Sequence, residues 1–480
     1  MHKGIGLATA FAVALAAGAA SAQPRLRQHV SSPARALVGA TLVDGTGAPP
    51  IADAVVVLRD GRIACAGSRA SCTIPAGTET VDLAGTWITP GLIDAHVHFS
   101  QTGWADGRPD SLDLRDRYPY EQVEAGLRAH PEAFLATYLC SGVTAVFDVG
   151  GFPWTWDLRA RAAADPRAPH VAAAGPLLST LDHWLNLPAE RQFIYLADEK
   201  AARGGVRYLA ANGTDAVKVW FIMAKDRPFE EMAAAVRAAA DEAHKLGLPL
   251  IVHATGLKEA KEALRDGAHM LVHSVDDQPV DDEFIAMARR NPTIYCPTLT
   301  VLDGYVAVAK GFSSHAPVAF DDPSGCVDPV TRARLAETAR LELPSGAALD
   351  RFEKRAAPAR AVAAANLRRV KAAGIPIAMG TDAGNPGTLH GVSVHAEMEA
   401  MQAAGMTPME VLVASTKGGA RAMGRDDIGT LEAGKRADFV LLAADPLADV
   451  ANLRKVRAVV RGGVYRTQAE LSAIVASEGR

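Results

Sequence analysis

The chain has 480 residues, 49% of them hydrophobic and 22% charged, with a formal charge of -4. That hydrophobic share supports a large buried core and excludes a disordered or fibrous chain. A charge balance so near neutrality gives no reason to expect nucleic acid or an anionic membrane as partner; the expected partner is a small-molecule substrate, and homo-oligomer formation is left open.

At the amino end, Lys3 precedes an apolar, Ala-rich run over 5–20, and Ala20-Ser21-Ala22 forms a small-x-small cleavage site before Gln23. This reads as an export signal over 1–22. A membrane anchor is the alternative, but the run is short for a span and no other stretch approaches about 20 apolar residues. The mature chain is expected to begin near Gln23, in a bacterial periplasm or secreted, with no membrane anchor after cleavage. Five cysteines, at 65, 72, 140, 296 and 326, lack any Cys-x-x-Cys spacing, which argues against a cysteine zinc site. Cys65 and Cys72 flank the turn-like Gly67-Ser68-Arg69-Ala70 and can close a small disulfide loop in an oxidising compartment. Two buried free thiols fit equally well.

From 36 to 88 the sequence is short β-rich runs broken by Gly, Asp and Pro, at 37–42, 54–58, 62–66 and 80–83. The stretch 429–465 has the same texture, with 438–442 and 456–461 clearest. Neither end has enough strands for a stable sheet, so one β-sandwich built from 34–90 and 426–470 is predicted. Between the ends, strand patterns at 91–99, 144–149, 170–175, 216–221, 250–254, 270–274, 293–299 and 377–382 alternate with helical ones such as 229–245, closed by Gly247, and 358–373, closed by Gly374. Eight strands with crossover helices predict an α/β fold, a (β/α)8 TIM barrel over 91–425. An open doubly wound sheet is the alternative, but no Gly-x-Gly-x-x-Gly follows an early strand. Two excursions, 101–120 and 301–357, read as insertions at the carboxyl ends of strands, the face where barrel enzymes hold their sites.

The chemistry concentrates at those strand ends. In Gly91-Leu-Ile-Asp-Ala-His-Val-His-Phe99, residues two apart point to the same side of a strand, so His96 and His98 present two imidazoles to one point. Taken alone, the pair is equally two satisfied histidines. Lys218 lies in the apolar run Asp-Ala-Val-Lys-Val-Trp-Phe, where burial favours a neutral, nucleophilic amine. Such an amine can take up carbon dioxide as a carbamate and become a bridging carboxylate; a lysine that snorkels from a strand end is the alternative. Apolar runs also end in His253, in His273 and, within Gly380-Thr-Asp-Ala-Gly384, in Asp382. Four histidines, one lysine and one aspartate at the ends of five strands of one barrel are unlike coincidence.

With these residues in place, the chain resembles the amidohydrolase superfamily, binuclear type with a carboxylated lysine, in its prolidase and imidazolonepropionase-like branch. The likeness covers nearly the whole mature chain, through Thr89-Pro-Gly-Leu-Ile-Asp-Ala-His96, Gly380-Thr-Asp-Ala-Gly384 and Gly429-Thr-Leu-Glu-Ala-Gly-Lys-Arg-Ala-Asp438. The resemblance implies that His96, His98 and Asp382 bind the more buried metal, that His253 and His273 bind the other, and that carboxylated Lys218 bridges both. Such ligands suit zinc best, with manganese or cobalt as alternatives. Deaminases of the superfamily carry His-x-x-Glu on the fifth or sixth strand; His253-Ala-Thr-Gly and His273-Ser-Val-Asp stand here instead, which argues against deamination.

The implied activity is hydrolysis of an amide bond in a small substrate, such as a dipeptide or an N-acyl amino acid, by a metal-bridging hydroxide, with Asp382 taking its proton and handing it to the leaving nitrogen. No organic cofactor is needed. Hydrolysis of an ester, lactone or cyclic amide is the alternative; a metal-binding protein without activity is disfavoured because no ligand position is substituted. Candidate pocket residues are His183, Trp184, Trp220, Arg227, Tyr295 and His390, with Arg227 and His390 foremost for gripping a substrate carboxylate.

Overall fold

The computed structural model describes residue 1 and residues 34–182, 185–342 and 347–478. The expected signal segment with its cleavage site, His183 and Trp184 lie outside the described residues.

The Val- and Ile-rich amino end forms six strands: β1 (Arg35–Val38), β2 (Thr41–Leu42), β3 (Ala54–Arg59), β4 (Arg62–Ser68), β5 (Glu79–Asp82) and β6 (Trp87–Pro90). Four of them make a sheet in the order β4-β3-β1-β5. Next come β7 (Leu92–Val97), β8 (Val143–Asp148) and β9 (His170–Ala173), a three-stranded parallel sheet. They are followed by β10 (Leu177–Ser179), β11 (Phe193–Tyr195), β12 (Val217–Trp220), β13 (Leu250–His253), β14 (Met270–Val272) and β15 (Ile294–Cys296). These six pair in parallel in the order β11-β10-β12-β13-β14-β15. Every residue of β7 and β8 is buried, as expected for parallel strands covered on both faces.

Two expected strands differ. The run 170–175 is split, because Gly175 turns to φ +66° and Pro176 has no N–H to donate; its continuation, β10, pairs with β12. The segment 377–383 forms no regular strand. It is nevertheless held on both sides, with Ala378 N–H donating to Tyr295 O (3.1 Å) and Ala95 N–H to Met379 O (3.0 Å). Its backbone departs from β geometry at Asp382, φ +61°. Gly380 permits the close approach: a Cβ there would lie 2.6 Å from Cys296 Sγ and 2.8 Å from His96 Cβ.

The carboxyl end adds β16 (Phe439–Leu442), β17 (Val456–Arg461) and β18 (Val464–Thr467), which join β6 and β2 in a five-stranded sheet, β18-β17-β16-β6-β2. Leu37, Val56, Leu58 and Ile63 from one end share a core with Phe439, Leu441 and Val460 from the other. A last helix, Gln468–Glu478, was not expected; its Leu471 and Val475 pack with Leu139 and Cys140.

The helix Phe229–Lys245 has the expected bounds, with Gly247 in the left-handed region just beyond it. The helix Ala347–Ala372 starts well before the expected position and runs through Pro358. A proline is an obvious place to start a helix, since its missing N–H costs nothing in the first turn; here it is carried inside. The two insertions pack on each other: Trp104, Leu112 and Leu114 meet Tyr305, Phe312 and Phe352, and Trp104 Nε1–H donates to Thr338 Oγ1 at 2.8 Å. Among the described residues no helix is long and apolar enough to cross a membrane.

Cys65 and Cys72 are disulfide-bonded, and so are Cys140 and Cys326; Cys296 is free and buried. The second bond spans 186 positions and ties the 301–357 insertion to the helix Glu132–Cys140. A loop of that length corresponds to about 5 kcal/mol in the chain-entropy account. Replacing Cys140 and Cys326 by Ser together is expected to lower the melting midpoint by about 5–10 °C. The double variant should also become insensitive to reductant at this site; calorimetry with and without dithiothreitol is the check.

Candidate metal centre

β7 carries His96, and His98, one residue past its end, keeps the two-residue spacing that brings both imidazoles to the same point. The hydrogen bonds that hold 377–383 against β7, Asp382 N–H to His96 O (2.8 Å) and His98 N–H to Ala383 O (2.8 Å), bring the Asp382 carboxylate to the same point. His96 Nε2 and His98 Nε2 are 3.2 Å apart, and Asp382 Oδ1 lies 3.3 Å from the first and 3.0 Å from the second. Ligand atoms on a tetrahedral zinc, at 2.0–2.1 Å bonds, sit about 3.3–3.4 Å apart. The two imidazole nitrogens are within hydrogen-bond distance of each other, whereas Asp382 Oδ1 is buried and has no aligned hydrogen-bond partner.

The neighbouring strands add the other residues. Lys218 pairs in register with Ile251, and Trp220 with His253, so Lys218 and Trp220 project to one side of β12. Lys218 Nζ is 3.4 Å from His96 Nε2. His273 Nδ1 is 3.9 Å from Asp382 Oδ2, and the His253 and His273 rings are 4.3 Å apart. His273 has φ +71°, Asp382 +61° and Thr298, which touches His273, +44°. Left-handed backbone is costly for residues other than glycine, and here three instances cluster where the polar side chains converge.

Burial sets the protonation of this group. It drives the imidazoles of His96, His253 and His273 well below the usual range, helped for each by other positive groups such as Lys218. Neutral imidazole is the ligating form. Burial also pushes the Lys218 ammonium down to about 8, against the pull of Asp382 and Cys296. Asp382 is opposed: burial raises its carboxyl, but His98, His273 and Lys218 prevail and leave it below its ordinary value.

A surrounding set of contacts fixes these side chains. His98 Nδ1 meets Gly150 O at 2.6 Å, leaving its Nε2 to face the centre, and His273 Nδ1 meets Thr298 Oγ1 at 2.8 Å. Asp94, noted in the sequence only as part of a motif, accepts from Thr381 Oγ1 (2.6 Å), Thr381 N–H (3.0 Å) and His96 N–H (3.2 Å), so it clamps β7 to the segment carrying Asp382. Its carboxyl is pushed up to about 7 by burial, against these bonds. Asp148 likewise accepts from Phe99 N–H and Gly150 N–H, both at 3.0 Å.

These donors fit a divalent ion at His96, His98 and Asp382, the group whose ligand atoms lie within 4.8 Å of one another. For a second ion the chemistry fits with one adjustment. The Trp220 indole N–H donates to His253 Nδ1 at 2.9 Å, so that bond must be exchanged before His253 can offer this nitrogen.

The centre opens into a cavity of about 580 Å³, lined by His98, Lys218, His253, His273 and Asp382 together with side chains of both insertions. Of the expected pocket residues, Trp220 lines it. Arg227, Tyr295 and His390 are not among its lining residues. Arg227 donates to Leu196 O (2.7 Å) and Ala197 O (2.9 Å) and lies over the Tyr195 ring, so its guanidinium is occupied in holding a loop. Tyr295 is buried, its hydroxyl accepting from Val275 N–H at 3.1 Å. His390 is a packed core residue, bonded to Gln101 O and Tyr138 Oη, both at 2.9 Å, and stacked on Phe134. Sequence reading missed Arg108, Asp110, Tyr305 and Asn385, which line the cavity as one network. Arg108 binds Asp110 through two bonds of 2.8 Å and also Asn385, which accepts from Tyr305 Oη–H at 2.7 Å. Their only sequence signal was position within the insertions and beside Asp382.

A model of the amidohydrolase family matches residues 87–465. Imidazolonepropionase of Agrobacterium fabrum is 29% identical over 416 residues, 83% of this chain and 86% of that protein. Imidazolonepropionase of Ralstonia nicotianae is 28% identical over 442 residues, 88% and 94% of the two chains. Among solved structures, a Xaa-Pro dipeptidase with bound methionine in the active site has the same fold, at a TM-score of 0.67 and 20% identity, over 90% of this chain and 100% of that one. The family match runs from β6, through every strand end that carries the centre, to β18, and the chain belongs to the amidohydrolase family.

Proposed function

We propose that the protein is a binuclear metal-dependent hydrolase that cleaves the amide C–N bond of a small substrate, a dipeptide or an N-acyl amino acid. The observation that carries this reading is the convergence of His96 Nε2, His98 Nε2 and Asp382 Oδ1 to within 3.0–3.3 Å of one another on the wall of a substrate-sized cavity. In this reading His96, His98 and Asp382 would hold one ion, His253 and His273 the other, with carboxylated Lys218 as the shared ligand; zinc is the proposed metal. The parallel strands and the segment 377–383 act as one (β/α)8 barrel over 91–425, beside a sandwich of 34–90 and 426–470. Processing after Ala22 and export complete the proposal.

When bound, two divalent ions would supply a water acidic enough to attack at neutral pH and polarise the scissile carbonyl. Asp382 takes the proton from the attacking water on a carboxylate oxygen and hands it to the leaving nitrogen. Its lowered pKa keeps it ionised and ready to accept. His98 and His273 stay fixed through Gly150 O and Thr298 Oγ1. The name of the structural neighbour, a Xaa-Pro dipeptidase, favours the peptide substrate. The names of the sequence relatives favour a second reading, hydrolysis of a cyclic amide, ester or lactone at the same centre. Metal analysis of the purified protein, with turnover measured on dipeptide, N-acyl amino acid and lactone panels, separates the two. Bound metal with no turnover of any acyl substrate would sink both.

Lys218→Ala is expected to lose both ions and activity, and short carboxylic acids added to the variant should restore part of the turnover as surrogate bridges. A variant with full metal content and full activity rules the bridge out.

Asp382→Asn is expected to lower the turnover number by about 10² to 10⁴, the usual contribution of a positioned acid-base group. The amide keeps size and weak ligation but has no acceptor for the proton, so the loss should persist in excess metal. Turnover within about threefold of the parent, with both ions bound, assigns the proton to another group.

A further inference from the structure

The charged residues that line the cavity are mostly matched in pairs. Arg108 is bound to Asp110, with the nearest contacts at 2.8 Å. Arg355 Nη2 meets Asp276 Oδ2 at 3.2 Å, and Arg360 meets Asp303. Lys218 and Asp382 belong to the metal centre described above. Two remain. Arg351, in the same wall of the helix Ala347–Ala372, has no acidic partner among the described residues: its guanidinium donates to Ser111 O (3.2 Å) and lies over the Phe352 ring. Glu259 lies on the helix Leu257–Arg265 that follows β13, and its carboxylate folds back toward Gly256 at the amino end of that helix. It forms no salt bridge among the described residues; its neighbour Lys258 pairs with Glu230 instead. The cavity therefore carries one positive group, exposed Arg351, and one negative group, Glu259, that form no ion pair among the described residues; they come from different elements, with the metal centre in the same space.

We propose that Arg351 and Glu259 read the two ends of the substrate, Arg351 binding a terminal carboxylate and Glu259 a terminal ammonium, so that the enzyme selects a zwitterionic dipeptide over an N-acyl amino acid. Both groups line the cavity that holds the centre, and a dipeptide carries one charge of each sign at its two ends. An N-acyl amino acid offers nothing to Glu259 and leaves its carboxylate uncompensated in a partly desolvated wall. Arg351 sits on the insertion helix, at i-4 from Arg355 and beside Ser111 of the other insertion, so both insertions place it. The selection acts through binding and leaves the bond-making atoms to the metal centre.

This rests on the amide-hydrolase reading, yet its test reads binding as well as turnover. Four forms of each member of a dipeptide panel are compared on the metal-loaded enzyme: free, N-acetylated, C-amidated and blocked at both ends. Calorimetry is expected to give each block about a tenfold weaker Kd, the order of one charge-assisted bond. In Arg351→Gln the preference for carboxylate over amide should collapse to within about twofold while the ammonium preference persists; Glu259→Gln should do the reverse. Arg351→Lys should keep part of the carboxylate preference, which a folding defect would not. Where turnover is seen, the loss should fall on KM, with kcat within about threefold. Charge preference in Kd without any turnover upholds these roles and refutes the proposed function. Equal binding of all four forms, no binding of any, or variants that weaken all four alike overturn the proposal.

Discussion

Everything at this centre depends on one buried carboxylate that is close to two imidazoles yet hydrogen-bonded to neither. Asp382 Oδ1 lies 3.0 and 3.3 Å from His98 and His96 Nε2 and stays unsatisfied. A buried oxygen without a partner costs about 1–3 kcal/mol, more when charged. An ion at the shared point would remove that cost, which the hydrogen bond between His96 and His98 leaves in place. A metal held there would couple fold stability to its affinity, because binding would add its free energy to the folded state alone.

The strain visible there fits the same account. His273, Asp382 and Thr298 adopt left-handed backbone, and the clamp made by Asp94 on Thr381 and His96 holds the arrangement against relaxation. A strained strand end is useful because it turns a side chain out of the ladder and toward the cavity. The buried Asp94 network does for 377–383 what a regular ladder would have done, with Gly380 allowing the backbone to approach His96.

Around this rigid floor the walls are built from insertions, which are anchored by packing, by Trp104 to Thr338 and by the Cys140–Cys326 bond. In the proposed reading, the strand ends carry chemistry, where position must hold to fractions of an ångström, and the insertions carry selection. The paired Arg108 and Asp110 contribute shape and polarity without net charge.

What the sequence by itself determined follows from short-range geometry. A strand alternates its side chains, so His96 and His98 had to share a side, as did Lys218 and Trp220; an Ala-rich helix closed by Gly247 had to run over Phe229–Lys245. Strand-poor ends had to find each other, and β6 and β16 do. Tertiary structure alone decided the rest, because contacts between distant residues leave no period in the text. It turned Arg227, Tyr295 and His390 into supports by offering them carbonyls, an amide and aromatic faces. It paired Cys140 with Cys326 across 186 positions and carried the helix Ala347–Ala372 through Pro358. Arg351 reached the cavity only because that helix packs against Val301–Ser314, through contacts such as Phe352 on Tyr305. A charge on an insertion has no strand or helix period tied to the site, so its role depends on where folding places it.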